Sequence, residues 1–490
     1  MRIEGRMPTN KLEGRIFSTR WQPAIFLILL AMIISSCQPV PIASTGIPSP
    51  REKTESQPIS GGPVLLWEGI SLRSVANVDG GSIKLALHPL TGDIYILNPY
   101  SGLRRLKINQ SESDLEKVAS PSDIVEGAIL SGMTIGPDGT LYIVANRTVD
   151  GIYNRAIIRK GTSDPDGNFQ WKTLAQTDPY PLSNTPFDHL FNGIIVSPDA
   201  KWVFVNSGSR TDHGEVESNA LKFPDVREVA LTAKIFRIPA DAEDLLLAND
   251  EEALKANGLI FAWGTRNAYD MAFAPNSDLF GVDNGPDADF PDELNWLREG
   301  LHYGFPWRFG DQDNPQQFPG YTSIGDKRLS PDFTAVRIGA YRTDPTFPKP
   351  PGGFTSPIAN LGPDAAQYRA DDGSQHDAAE EGLPLSTFTP HRSPLGLVFV
   401  SSPNIPADFQ GDENIFSAFL LSWGSAGGTL TDGGQDLLHL RLTKRSDNYE
   451  TVTTQIAREF NNPIDAVMIE DRLYVLDFGS GGTIWELTFK

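Results

Sequence analysis

The strongest constraint on this chain is a short unit that recurs along it: an apolar run, a turn built from Pro, Gly or Asp, and a second apolar run. It stands at "SIKLALHPLTGDIYILN" (82–98), "LSGMTIGPDGTLYIVAN" (130–146), "FNGIIVSPDAKWVFVNSG" (191–208) and "AYDMAFAPNSDLFGVDNG" (268–285). A stretched version follows at 394–419, and "PIDAVMIEDRLYVLDFGSGGTIWEL" (463–487) closes the series. Short apolar segments bounded by such residues signal hairpins. A lone hairpin cannot bury both of its faces, but a recurring set buries them against one another, as in propellers and arrays. Six units therefore predict an all-β, six-bladed β-propeller, with a pair of β-sandwiches as the alternative. The 45 Gly and 38 Pro fit many turns and few long helices.

The pattern begins near Val64 and runs to residue 490. Apolar spacing predicts one peripheral helix, within 240–258. Residues 308–390, rich in Pro, Gly, Asp and Gln, break the rhythm and read as an insertion covering one end of the propeller.

Ahead of the pattern, Arg2, Arg6, Lys11, Arg15 and Arg20 form a basic leader before "AIFLILLAMII" (24–34), an apolar run too short to span a bilayer comfortably. "ISSC" (34–37) follows, and it resembles the lipobox of bacterial lipoproteins. The resemblance implies a signal peptide at 1–36, lipidation of Cys37, a flexible Pro/Ser/Thr-rich tether to residue 63, and an exported protein anchored to a bacterial membrane, facing the periplasm or the exterior. Cys37 is the only cysteine, so intrachain disulfides and thiolate zinc sites are excluded. A net charge of −21 disfavours nucleic acid as a partner and could attract calcium.

One segment is more specific than the rest. "GTRNAYDMAFAPNSDLFGVDNGPDADFPDELNWLREGLHYGFP" (264–306) holds Arg266-Asn267, Gly285-Pro286, Asp292-Glu293-Leu294-Asn295 and Tyr303-Gly304-Phe305-Pro306 in that order. It resembles the signature of the glucose/sorbosone dehydrogenase family, six-bladed quinoproteins that use pyrroloquinoline quinone (PQQ). Phe305 replaces the usual Trp. The resemblance implies oxidation of a sugar or polyol, with PQQ and calcium as cofactors. It places Asn267 against the quinone, with Arg266 beside it, and gives the calcium to the carbonyls of Gly285 and Pro286, a donor type suited to a hard cation. It makes His189, nine residues before Pro198, the general base that takes a hydroxyl proton while hydride passes to the quinone. Taken alone, His189 is a loop histidine, Gly285-Pro286 a turn and Asn267 a strand end. Asp292 and Glu293 read as loop-solvating carboxylates, with a second cation site as the alternative. Tyr303 to Pro306 read as blade packing, and Arg210, Asp212 and His213 could line the same mouth.

The chain also departs from the family. A quinone with three carboxylates needs fixed cations in a buried site. Glucose-oxidising members supply a Lys late in blade five and two Arg at the start of blade six; the corresponding stretches here, 420–434 and 460–467, contain neither residue type. Ser209 stands where those members have an acidic residue. Arg392 is the nearest replacement anchor. Two further readings therefore stay open: a ligand-binding propeller without a quinone, and a calcium-dependent lactonase-type hydrolase.

Overall fold

In the computed structural model, residues 62–108, 113–164, 168–424 and 428–490 are described. The leader, Cys37 and nearly all of the tether lie outside the described residues. Six antiparallel sheets stand around a common axis, as the six sequence units predicted. Blade one comprises Lys84–Leu87, Ile94–Asn98, Gly102–Ile108 and Ser113–Ala119. Blade two comprises Ile129–Ile135, Leu141–Val149, Tyr153–Ser163 and Phe169–Thr177. Blade three comprises Phe191–Val196, Trp202–Ser207, Lys234–Pro239 and Ile260–Trp263. Blade four has three strands, Ala268–Phe273, Leu279–Asp283 and Glu293–Leu297. Blade five comprises Pro394–Phe399, Ile415–Ser422, Asp436–Lys444 and Tyr449–Arg458. Blade six takes Pro463–Ile469, Arg472–Asp477 and Thr483–Phe489 from the end of the chain and Ile70–Asn77 from its first described part.

The first strands of the blades touch in order around the axis, the last meeting the first. Side chains alternate between the two faces of a strand, and here both faces are buried. Ile143 packs toward blade one, and the next residue, Val144, toward blade three. Six apolar clusters fill the six seams in this way. That is why the inner strands read as continuous apolar runs. Close approach at the axis demands small residues. A side chain at Gly132 would put its Cβ 1.9 Å from the Asn192 carbonyl oxygen of the next blade.

Polar groups also cross the axis. Lys84 of blade one reaches Asp270 of blade four at 3.0 Å and lies 4.0 Å from Asp465 of blade six. Each carboxylate also accepts a backbone N–H from a neighbouring blade, Leu85 to Asp465 at 2.7 Å and Leu397 to Asp270 at 3.0 Å. These bonds offset the cost of burying the charges.

Two details differ from expectation. The stretch 240–258 is not one helix. Leu245–Leu247 joins blade two as a parallel strand, and only Glu251–Ala256 is helical, with Asp250 capping the Ala253 N–H. The break follows the strand pairing with Ala175–Thr177, which overrides local helical spacing. The insertion adds the strand Ala359–Pro363, parallel to the outer strand of blade five; other parts of it pack on one end of the ring, where the Ala335 N–H meets Asp287 and Arg369 meets Asp289.

Candidate functional site

That end collects the loops that precede the first strand of each blade and those that follow the second. His189, Arg266, Asn267 and Arg392 come from the first kind of loop; Asp212, His213, Gly285 and Pro286 come from the second. Topology alone therefore gathers most of the residues singled out from the sequence around one mouth.

His189 is 7% exposed, and its backbone N–H donates to the Ser209 carbonyl at 3.0 Å. Its ring Nδ1 lies 3.1 Å from the Ser209 hydroxyl, and that hydroxyl donates to the Thr211 carbonyl at 2.7 Å. Toward the imidazole the hydroxyl can then only accept. The proton sits on Nδ1, and Nε2 keeps its lone pair. Burial, with the Arg266 charge added, lowers the His189 pKa to about 3. Gly208 allows this arrangement: a Cβ there would fall 2.3 Å from His189 Cβ and 3.2 Å from Asn267 Oδ1.

Asn267 belongs to a chain of amides that ties three blades together. Asn206 Nδ2 donates to Asn192 Oδ1 at 2.7 Å, and Asn192 Nδ2 to Asn267 Oδ1 at 2.8 Å. Asn267 Nδ2 reaches Asn284 Oδ1 at 3.4 Å, and Asn284 Nδ2 donates to the Pro394 carbonyl at 2.9 Å. Beneath it, Asp283 accepts the backbone N–H groups of Arg266 and Asn267. Burial raises Asp283 to about 6.

Arg266 points at the protein rather than at open space. Its Nε and Nη2 donate to the Asp212 carbonyl and Oδ1 at 2.7 and 2.8 Å, and Nη1 to the Asn284 carbonyl at 3.2 Å. Asp212 is fully buried. Against that burial, the His213 bond and the Arg266 charge hold it at about 2. His213 Nδ1 lies 2.8 Å from Asp212, and the insertion's Tyr341 stacks on its ring at 3.8 Å. The Arg210 guanidinium donates to the backbone carbonyls of Pro181, Leu182, Glu217, Val226 and Arg227, and pins the loop that carries Asp212.

Arg392 differs from its expected role as a free anchor. Its Nη1 is bound to Asp432, and its Nη2 to both oxygens of Asp436. Two carboxylates of its own blade already neutralise it. Asp292 and Glu293 are not loop-solvating either. Asp292 is 2% exposed and accepts the N–H groups of Gly285 and Ser393 at 2.7 and 2.8 Å. Glu293 accepts from Gly310 N–H and Asn295, and burial together with Asp283 raises its pKa well above the usual range. The Gly285-Pro286 turn is held by that Asp292 bond, and the Pro286 carbonyl accepts the Ala288 N–H at 2.7 Å. A cavity of about 10 Å³ beside Arg266, Asp283, Asn284 and Glu293 has room for one water. Among the described residues, no group of three or more His, Cys, Asp or Glu side chains converges to hold a metal. Tyr303 is blade packing as expected, with its hydroxyl on the Trp296 carbonyl at 2.6 Å.

The sequence reading missed Asn192, Asn284 and Asp283. Asn192 and Asp283 carry a visible signal, a polar residue inside an apolar run at "FNGIIV" and "LFGVD". The insertion closes over this polar set. Phe333 packs on His391 at 4.7 Å, the Ala335 N–H donates to Asp287 at 2.9 Å, and Arg369 pairs with Asp289 at 2.8 Å.

Comparison with known proteins agrees with this arrangement. Residues 130–335 match the family described as Glucose / Sorbosone dehydrogenase. Quinoprotein glucose dehydrogenase B of Acinetobacter calcoaceticus is 24% identical over 265 residues, covering 49% of this chain and 51% of that protein. The chain thus spans about half the length of the curated relative it matches. The soluble aldose sugar dehydrogenase of Escherichia coli, in its apo-form, superposes with a TM-score of 0.53 at 15% identity, over 86% of this chain and 100% of that one. A solved glucose dehydrogenase gives 0.54 at 15% identity, over 85% and 99%. The propeller fold is common to them, and the family resemblance of the 264–306 segment holds.

Proposed function

We propose that this relative of the glucose/sorbosone dehydrogenases acts on a hydroxyl of a sugar or polyol held at the mouth, with Nε2 of His189 as the proton acceptor. The observation that carries the reading is the Ser209 hydroxyl, committed to the Thr211 carbonyl and therefore an acceptor toward Nδ1. A low pKa keeps the ring neutral across the physiological range, ready to accept. The same burial makes it a weak base, suited to take a hydroxyl proton as charge develops on the oxygen rather than ahead of it. The amides of Asn192, Asn267 and Asn284 supply uncharged donors and acceptors of the kind that orient hydroxyl groups.

In the family the hydride acceptor is PQQ, assisted by calcium. Asn267 and the Gly285 and Pro286 carbonyls are the groups that would face them. The residues present do not fit the carboxylates of that quinone. Arg266 is paired with Asp212, Arg369 with Asp289, and Arg392 with Asp432 and Asp436. These pairings favour the second reading, a ligand-binding propeller of the same family without a quinone.

The deciding experiment mixes the purified domain with PQQ and calcium, then follows quinone absorbance and reduction of an artificial acceptor over a panel of aldoses and polyols. Sugar-dependent reduction that disappears in His189→Ala supports the first reading. Absence of quinone uptake at micromolar concentration overturns it in favour of the second. Export and lipidation at Cys37 belong to the same proposal; mass spectrometry of the mature N-terminus tests them, and an unprocessed chain would overturn them.

A further inference from the structure

The insertion carries a second constellation, apart from the mouth. Gln367–Arg369 and Gln375–Asp377 pair as a hairpin, and Ser374 closes its turn. Ser374 and His376 are two residues apart, so they share a face. Ser374 Oγ lies 2.7 Å from His376 Nε2, and His376 Nδ1 lies 2.5 Å from Glu381 Oε1. The other Glu381 oxygen accepts the Tyr368 hydroxyl at 2.8 Å, and the Tyr368 ring stacks on the imidazole at 5.4 Å. The His376 and Tyr368 bonds hold Glu381 below the usual range, so it is a carboxylate.

The polarity of this chain of bonds is fixed by the carboxylate. Nδ1–H points at Glu381, which leaves the Nε2 lone pair facing the serine hydroxyl, as in a nucleophile–base–orienter triad. Asp372 Oδ1 accepts both the Ser374 N–H at 2.8 Å and the Ser374 hydroxyl at 2.5 Å, so the hydroxyl proton must turn about the Cβ–Oγ bond from Asp372 to Nε2, 2.7 Å away, before the serine can react. Backbone bonds from Ala370 N to Ser374 O and from Ala378 N to Ala366 O set the hairpin register. That register makes Tyr368–His376 the bonded pair and turns the Gln375 N–H outward. It is the amide following the serine, the position that supplies one oxyanion donor in nucleophile elbows. A pocket of about 350 Å³ lined by Gln367, Gln375, His376, Asp377, Glu380 and Glu381 opens beside the serine's partner. Bonds from Arg369 to Asp289 and from Gln375 to Thr431 fix the hairpin to the propeller.

We propose that Ser374, His376 and Glu381 form a hydrolytic site for carboxylic esters with polar groups, the kind the polar lining of the adjoining pocket would accept. Ser374 Oγ bonds to the acyl carbon as its proton passes to His376 Nε2. The ester C–O bond breaks, and Nε2 returns that proton to the departing alcohol. A water then attacks the acyl-serine, gives its proton to Nε2, and releases the carboxylic acid as Ser374 regains its proton. No oxidant or metal enters the balance.

The test uses the whole chain in buffer without quinone or calcium. Hydrolysis of p-nitrophenyl acetate is measured, and a fluorophosphonate probe is mapped by peptide mass spectrometry. The expected result is one adduct, on Ser374, and turnover that falls about a hundredfold or more in Ser374→Ala. In His376→Ala, added imidazole should restore part of the rate, which a structural role for the ring would not produce. Thermal unfolding of each variant separates lost chemistry from lost fold. An adduct elsewhere, no adduct, or unchanged turnover in a folded Ser374→Ala protein overturns the proposal.

Discussion

His189 and His376 are the same side chain beside the same partner, a serine, and the two regions use that pair in opposite senses. At the mouth the serine holds Nδ1, and it can only accept because its own proton is spent on a carbonyl. On the hairpin a carboxylate holds Nδ1, and the serine stands at the reactive nitrogen. The first histidine is buried and kept neutral; the second is about one-third exposed, with a side-chain exposure of 36%. What a histidine can do is therefore set by which ring nitrogen its neighbour occupies, more than by which neighbour is present.

Four measurements would break or sharpen that contrast. The largest effect is expected from His189→Ala, which should lower sugar-dependent turnover by about 10²–10⁴-fold, the usual worth of a positioned base, with circular dichroism unchanged. Gly208→Ala comes next. Its Cβ would have to displace His189, so a loss of about 1–3 kcal/mol in urea unfolding is expected, together with lost activity.

The third concerns acid stability. An unfolded histidine binds its proton near pH 6.5, whereas His189 does so only near 3 in the folded chain. Stability should therefore fall as pH drops from 6.5 toward 3. Asp283 and Asp287, raised to about 6 by burial, act the other way between about 6 and 3.8. His189→Gln should leave only the second effect, so its stability relative to the parent should rise as the solution is acidified. A parallel pair of curves would remove the claim that His189 is held neutral. The smallest effect is expected from Ser209→Ala. The Ser209 carbonyl, 3.3 Å from Nδ1, remains as an acceptor, so the change should be about 1 kcal/mol, read as a several-fold drop in turnover.

The inner hairpins were legible in the sequence because both faces of those strands are buried and their apolar runs are unbroken. The outer strands were harder to read. Gly102–Ile108 alternates with Arg104, Arg105 and Lys107, whose partners Asp79 and Glu116 emerge only in three dimensions. The mouth was legible as a set of loops and as one motif, but its charge pairing was not. Arg392 reads as a free cation until Asp432 and Asp436, 40 and 44 residues away, are folded against it. Asp292 and Glu293 read as surface carboxylates because the backbone N–H groups that hold them leave no trace in residue type. The hairpin site went unread for a similar reason, since Glu381 is joined to His376 by a loop rather than by any spacing rule.

Blade six also sets an order of events. Arg73, on the strand that completes it, pairs with Glu486, 413 residues later in the chain. During synthesis that strand is made 413 residues ahead of its partner. The ring stays open until Thr483–Phe489 has been made, and the exposed edge of Ile70–Asn77 has to be kept from pairing with other chains for that whole interval.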